Sequence, residues 1–264
     1  MTTGSPTTAP DWTRPLVPAS GPVRFARYAF GPNRLGYCGP DAASELFGHA
    51  TRGEATDDRG LRDLAHGFEG AWPYLELIAS SAGRSDPLDP AVVEAYWLGG
   101  GLVGDVRPRD LGGSLEDRFR PRVGTLDWRW LAGKPEAGAV PVHAFHVLDV
   151  FPRVGLMRTG STDGALSVMD ACRIRWGRVE RRDGDFLEVA AVPLELVDGK
   201  LRLGAARPQR VRDAIDGIGF VDDVRPGDVI SIHWDWACER LDAAGLAALR
   251  SSTIGELMLA NATI

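Results

Sequence analysis

Residues 225–242 read RPGDVISIHWDWACERLD, and this stretch decides the fold. Pro226-Gly227-Asp228 predicts a turn, because proline restricts its own φ and glycine accepts backbone angles that other residues avoid. Side chains alternate between two faces over residues 229–234, which predicts a strand. The leucines that follow recur at close to helical spacing, so we expect a helix to begin near Cys238. His233 then lies at the end of a strand, a position that suits chemistry or recognition.

Four further short strands are predicted upstream of this one. Asp-Gly pairs at 183–184 and 198–199 mark two of the turns between them, and Asp-Gly is the strongest short signal for a hairpin. Five short strands within about 65 residues indicate a small closed barrel rather than a sandwich. The four upstream strands are predicted over residues 172–181, 186–196, 200–203 and 207–215.

The predicted barrel and the helix after it resemble the HypC/HupF family, the small chaperones that assemble NiFe hydrogenase. The resemblance covers roughly residues 170–250, and it lies in the order and content of several short motifs. These motifs are Cys172, Gly177-Arg178-Val179, Asp183-Gly184-Asp185, Pro226-Gly227-Asp228, Ile230-Ser231-Ile232-His233 and Leu241-Asp242.

The resemblance implies a site and a function. In that family a cysteine and a histidine carry low-spin iron with carbonyl and cyanide ligands, together with a partner scaffold. Carried over, Cys172 is the thiolate ligand and His233 is the second contact, with transient iron as the cargo. The implied partners are the hydrogenase large subunit or a maturation scaffold protein, and the implied role is that of a chaperone rather than an enzyme.

Two geometric expectations follow from the resemblance. Cys172 opens the first predicted strand and His233 closes the last, so both side chains should lie at one rim of the barrel. We expect Cys172 Sγ and the His233 imidazole nitrogens within about 8 Å, a span that one iron ion with ordinary ligand distances can bridge. We also expect Trp234 and Trp236 to be exposed beside this site and to take part in recognition.

The length and composition of the chain favour a soluble globular protein with more than one structural unit. The chain has 264 residues, 44% hydrophobic and 25% charged, and a net charge of −6, which argues against a nucleic-acid partner. No apolar stretch approaches the roughly 20 residues that span a bilayer, and the first ten residues lack the features of a signal peptide. The odd count of three cysteines favours reduced thiols and a cytoplasmic location.

The expected fold class is α+β. Its predicted parts are a disordered tail at 1–22, a mainly helical domain at 23–135, a connecting segment at 136–168, and an OB-like five-stranded barrel with a C-terminal helix at 169–264. Glycine–proline pairs at 31–32 and 39–40 are expected to break the chain into turns. In the helical domain, Pro73 should interrupt a helical pattern near Trp72, and Asp89 should cap the next helix.

Two alternatives to the chaperone remain open. One is a thiol-dependent enzyme that uses Cys38 or Cys172 as its nucleophile with a histidine as base. The other is a non-catalytic interaction module with a vestigial iron site, because Cys172 is internal whereas the family's cysteine follows the initiator methionine. A helix over residues 142–151 would also place His143 and His146 on one face, where two imidazoles three residues apart could bind a metal.

Overall fold

The computed structural model describes residues 9–51, 59–154 and 162–263 and has an α+β fold. The part of the chain before residue 173 is mainly helical. Its helices are α1 (Gly21–Arg34), α2 (Ala43–Thr51), α3 (Arg59–His66), α4 (Trp72–Ser81), α5 (Pro90–Leu98), α6 (Pro108–Phe119), α7 (Thr125–Ala132), α8 (His143–Phe145), α9 (Phe151–Val154) and α10 (Thr162–Cys172). Two 3₁₀ turns, Gly101–Asp105 and Arg120–Arg122, and a π-helical turn, His146–Val150, join some of them.

Helix boundaries follow the predicted breakers and caps in most places. Pro73 lies in the first turn of α4, and the Asp89 carboxylate accepts a hydrogen bond from the Ala91 amide at 2.9 Å as the cap of α5. The expected break at 31–32 is wrong, because Pro32 lies inside α1, which continues to Arg34. Proline is tolerated there because the carbonyl that it leaves without a helical partner finds another donor.

The C-terminal part contains nine strands and the long helix α11 (Ala243–Asn261) within the described residues. Five of the strands close into a barrel in the order β1–β2–β5–β9–β8, with one parallel contact between β5 and β9. The strands are β1 (Arg175–Asp183), β2 (Phe186–Ala191), β3 (Leu194–Val197), β4 (Lys200–Leu203), β5 (Arg207–Arg212), β6 (Ala214–Ile215), β7 (Ile218–Gly219), β8 (Val229–His233) and β9 (Trp236–Arg240).

The barrel has five strands, but several boundaries differ from the prediction. The strand predicted at 186–196 is divided into β2 and β3, and the strand predicted from Cys172 begins at Arg175. The predicted strand at 200–203 is β4, which pairs with β3 in a separate two-stranded hairpin, and β9 takes its place in the barrel. The helix expected near Cys238 begins instead at Ala243, after Asp242 caps α11 by accepting from the Gly245 amide at 2.7 Å. The residues of β9 are almost all buried, so tertiary burial outweighs the helical pattern that follows them.

Helix α1 packs against the barrel at the β8–β9 hairpin. The two backbones come close at Gly31, where a Cβ atom would lie 2.7 Å from the His233 carbonyl oxygen. Two ion pairs join the same surfaces: Arg24 Nε lies 2.9 Å from Glu239, and Arg34 lies 2.8 Å from Asp235. Beneath these contacts, one continuous cluster of buried apolar residues runs from the helices to the outer face of the barrel.

Two segments that the sequence assigns to connections make specific contacts. Of the predicted tail, residues 1–8 lie outside the described residues, whereas Arg14 forms an ion pair with Asp228. In the expected connecting segment, Asp149 is buried, and its carboxylate lies 2.5 Å from Nζ of the buried Lys134. Among the described residues, no helix is long and apolar enough to cross a bilayer.

Candidate metal centre

Three side chains from separate elements converge where the helical part meets the barrel. Cys172 Sγ and one ring nitrogen each of His143 and His233 all lie within 4.8 Å of one another. His143 begins α8, Cys172 ends α10 and His233 ends β8. The expected approach of Cys172 and His233 is therefore confirmed, and His143 is an additional member of the cluster.

Backbone pairing next to the cluster brings the end of α10 to the end of β8. The Trp234 amide donates a hydrogen bond to the Ala171 carbonyl at 2.7 Å, and the Arg175 guanidinium donates to the Trp234 carbonyl. Arg175 also pairs with Ile232 in the β1–β8 register. The sequence suggested that Cys172 opens a strand, and this expectation is wrong. Cys172 ends helix α10, three residues before β1 begins.

The ring orientation of His233 depends on helix α1. Its Nδ1 lies 2.6 Å from the Tyr28 carbonyl oxygen, and since a carbonyl can only accept, Nδ1 carries the proton. That carbonyl is free because Pro32, four residues later, has no N–H to donate. His233 Nε2 consequently presents a lone pair, and this buried atom has no hydrogen-bond partner among the described residues.

His143 makes two hydrogen bonds with its ring. Nε2 lies 2.9 Å from the Cys172 carbonyl oxygen, to which it donates, and Nδ1 lies 3.2 Å from the Tyr96 hydroxyl, from which it accepts. The tyrosine comes from α5, so the histidine is held between α5 and the end of α10. A π-helical turn starts three residues after His143, and such turns are frequent at functional sites.

All three donors are electrically neutral at neutral pH. Burial lowers the pKa of His143 to about 4 and lowers the pKa of His233 well below its ordinary value, with the neighbouring His143 as a second cause. Burial also raises the pKa of the Cys172 thiol, and the nearby Cys38 raises it further. An imidazole binds a metal in its neutral form, whereas the thiol must release its proton when a metal binds.

Aromatic rings enclose the cluster on the side of the helices. The Trp97 ring lies 4.8 Å from the ring of His143 and 5.7 Å from that of His233, and it stacks on Tyr28 at 5.1 Å. The two histidine rings are 5.0 Å apart. Rings that are packed in this way limit the movement of both imidazoles and exclude water from them.

The two tryptophans that were expected to be exposed are buried. Trp236 is 0% exposed and packs its ring edge-on against Phe30 at 4.7 Å, so a recognition role for it is wrong. Trp234 is 8% exposed and stacks on Tyr37 at 4.0 Å. Trp234 thus lies beside Cys172 beneath the exposed Tyr37, not on an open surface.

The remaining predicted residues lie near the cluster without joining it. Cys38 is exposed between α1 and α2, and it is near enough to Cys172 to influence its pKa. His146 Nδ1 lies 3.4 Å from the Tyr74 hydroxyl, and His146 is not a member of the cluster. His143 and His146 are both helical, as expected, but the structure pairs His143 with Cys172 and His233 instead.

The donor set suits a transition metal. One thiolate and two imidazoles bind iron, zinc or copper far better than magnesium or calcium, which prefer oxygen. Three protein ligands also leave at least one coordination position for another group. Sequence reasoning missed Tyr28, Pro32 and Tyr96, which orient the ligands, although the proline inside a helical pattern was a usable signal for a free carbonyl.

Comparison with known proteins gives a family without an assigned activity. The chain belongs to a family of unknown function (DUF6390), whose model matches residues 17–264. No curated protein and no solved structure matches the chain.

Proposed function

We propose that this member of the DUF6390 family is an assembly factor for NiFe hydrogenase that works in the manner of the HypC/HupF chaperones. Cys172 and His233 would hold iron as a transient cargo on its way between a maturation scaffold and the apo large subunit. The observation that carries the proposal is the meeting of Cys172 Sγ with an imidazole nitrogen of His233 within 4.8 Å.

The architecture around these residues supports the proposal. A closed five-stranded barrel followed by a helix is the arrangement that the resemblance implies. His233 ends the barrel strand β8, and Cys172 ends α10 just before the barrel strand β1. We propose that this barrel is OB-like, as the resemblance implies. Rigid strands and helix ends hold ligand side chains more accurately than loops do.

The residues present fit an iron cargo. The unpartnered, buried Nε2 of His233 is a polar atom that gains a partner when a metal binds. Cys172 is only partly buried as a residue, unlike His143 and His233. Thiolate and imidazole are ligands that iron accepts, and the protein's part is to bind the ion, keep water away and release it to a partner.

A thiol-dependent enzyme is supported less well. A catalytic cysteine needs a thiolate, which neighbouring positive charge stabilises by lowering the thiol pKa. Burial instead raises the pKa of Cys172 and lowers that of both adjacent histidines, so each group stays neutral. A metal removes this conflict because it replaces the thiol proton with a stronger positive charge.

The test is hydrogenase maturation in the native cell. Cys172→Ala or His233→Ala, each replacing the wild-type gene, is expected to abolish hydrogenase activity, while Cys38→Ala at the exposed cysteine retains most of it. Soluble protein level is measured alongside, and His233→Gln serves as a second variant because His233 is buried. Full activity with Cys172→Ala would leave only an interaction module, and loss of activity with Cys38→Ala alone would move the chemistry to that thiol.

A second readout identifies the partner. Affinity purification of the chain from hydrogenase-producing cells is expected to recover a hydrogenase large subunit or a maturation scaffold. Recovery of neither, from cells that contain both, would contradict the proposed role.

A further inference from the structure

We infer that the helical part of the chain supplies a third metal ligand, His143, so that one molecule binds a divalent transition-metal ion on two imidazoles and one thiolate. The inference takes iron as the natural cargo from the proposed function. The three-donor site itself can be tested without any hydrogenase. The N-terminal helices then contribute a ligand to the site.

The first support is geometric. The ligand atoms of His143, Cys172 and His233 all lie within 4.8 Å of one another. Two ligands at ordinary bond lengths of about 2.0–2.3 Å from one ion are separated by roughly 3–4 Å, so only small side-chain movements are needed.

The second support is the set of groups behind the ligands. Metal-bound histidines usually engage their other ring nitrogen in a hydrogen bond that fixes the tautomer. His233 has this bond to the Tyr28 carbonyl, and His143 has contacts on both ring nitrogens, one of them with the Tyr96 hydroxyl. A hydroxyl can either donate or accept, so Tyr96 can follow a change of tautomer in His143 when that ring takes up a metal.

The third support is that polar capacity is left unused at the cluster. His233 Nε2 is fully buried, and no donor reaches it from the described residues. Proteins usually avoid leaving such a buried polar atom without a partner, because it has lost its hydrogen bonds to water. A metal ion would use this lone pair. Binding forms metal–nitrogen and metal–sulfur bonds and releases one proton from the Cys172 thiol to solvent, without any electron transfer.

Three protein ligands have a consequence for cargo transfer. They hold the ion within one chain, and they leave a coordination position for a carbonyl, a cyanide or a ligand from a receiving protein. A two-ligand site would depend on the partner to complete the protein's donor set. The helical part therefore lets this chain keep its metal between partners.

The experiment is an anaerobic titration of the purified full-length protein with Co²⁺, followed by the thiolate-to-cobalt absorption band. Wild type is expected to bind one equivalent. His143→Ala is expected to weaken binding by at least about 10–100-fold, the range for losing only an outer hydrogen-bond partner of a ligand, and Cys172→Ser is expected to remove the band. The matched control is His146→Ala, three residues further along the same helical segment and outside the cluster, which is expected to bind as wild type does.

Two further measurements keep the result unambiguous. Circular dichroism checks the fold of each variant, and His143→Gln replaces His143→Ala if the alanine variant unfolds. X-ray absorption of the Co²⁺-loaded wild type is expected to show one sulfur and two imidazole nitrogens. Unchanged affinity in a folded His143 variant, or a spectrum with a single imidazole, would overturn the inference. Loss of hydrogenase maturation is scored separately, so the proposed function can fail while the three-donor site stands.

Discussion

A backbone carbonyl in α1 couples the proline at position 32 to the imidazole of His233. Because Pro32 cannot donate to Tyr28, that carbonyl is available to His233 Nδ1 at 2.6 Å. The bond places the proton on Nδ1 and leaves Nε2 as a donor for a metal. One residue without an N–H therefore helps to decide the chemistry of a side chain about 200 positions later, by the ordinary rule that helical N–H groups bond four residues back.

Replacing this proline tests the coupling. Pro32→Ala introduces an N–H that competes for the Tyr28 carbonyl. We therefore expect Co²⁺ affinity to fall by roughly tenfold, because the hydrogen bond that orients the His233 ring is weakened. Pro22→Ala is the control. Pro22 lies in the first turn of the same helix, so its new N–H has no helical carbonyl four residues back to compete for. Equal Co²⁺ affinities for the two variants in the anaerobic titration would show that the Tyr28 contact does not matter.

A second residue-scale prediction concerns the buried Glu256 on α11. Burial raises its pKa to about 8 from 4.5, although the Val140 amide donates to its Oε1 at 3.1 Å. The folded chain thus keeps the proton more tightly than the unfolded chain does. The contribution to stability is complete below about pH 4.5 and is lost as the pH rises toward 8, at up to about 1.4 kcal/mol per pH unit.

Glu256→Gln isolates this effect, because glutamine stays neutral at every pH. The free energy of unfolding of the variant minus that of wild type is expected to increase between pH 5 and pH 8, measured by urea denaturation. Taking the difference cancels the opposite contribution of the buried histidines, whose lowered pKa values favour folding as the pH rises. A difference that stays constant over this range would show that Glu256 is ionised normally in the folded chain.

At the scale of elements, helix α1 packs against the β8–β9 hairpin, which carries His233. A Cβ at Gly31 would lie 2.7 Å from the His233 carbonyl oxygen, a backbone atom that cannot swing aside. Gly31→Ala should therefore push α1 away and lower the free energy of unfolding by about 1–3 kcal/mol, and it should weaken Co²⁺ binding as well.

Gly113→Ala provides the matched control for this change. Gly113 lies inside α6, where a Cβ would meet nothing within 4 Å. Alanine there should raise the free energy of unfolding by about 0.5–1 kcal/mol through helix propensity and leave Co²⁺ binding unchanged. Chemical denaturation measures the free energy of unfolding of both variants. A Gly31→Ala variant more stable than wild type would show that α1 is not tightly packed against the His233 carbonyl.

The elements also show what the sequence could and could not predict. Local signals were enough for β8, for the cap at Asp89 and for the break at Pro73. They failed at β9, where residues 236–240 take strand geometry because they pair with β8 and are buried. They failed again at Pro32, because the donor that makes this proline tolerable comes from a distant strand.

At the scale of the whole molecule, the candidate site belongs to both halves of the chain. Cys172 and His233 could be paired from the sequence because the family resemblance assigns both residues to one site on the predicted barrel. His143 could not be placed with them, because its position depends on how α8 packs against α5 and the end of α10. Lys134 illustrates the same limit, since only the tertiary fold supplies the Asp149 carboxylate that makes its burial possible.

The most direct measurement is the infrared spectrum of the chain isolated anaerobically from cells that produce active hydrogenase. If the chain carries the iron cargo, absorption bands of metal-bound carbonyl and cyanide accompany the wild-type protein. The same bands are absent from Cys172→Ala and reduced in His143→Ala, while His146→Ala retains them. A wild-type spectrum without these bands, from cells whose hydrogenase is fully active, would contradict the claim that this protein carries iron to the enzyme.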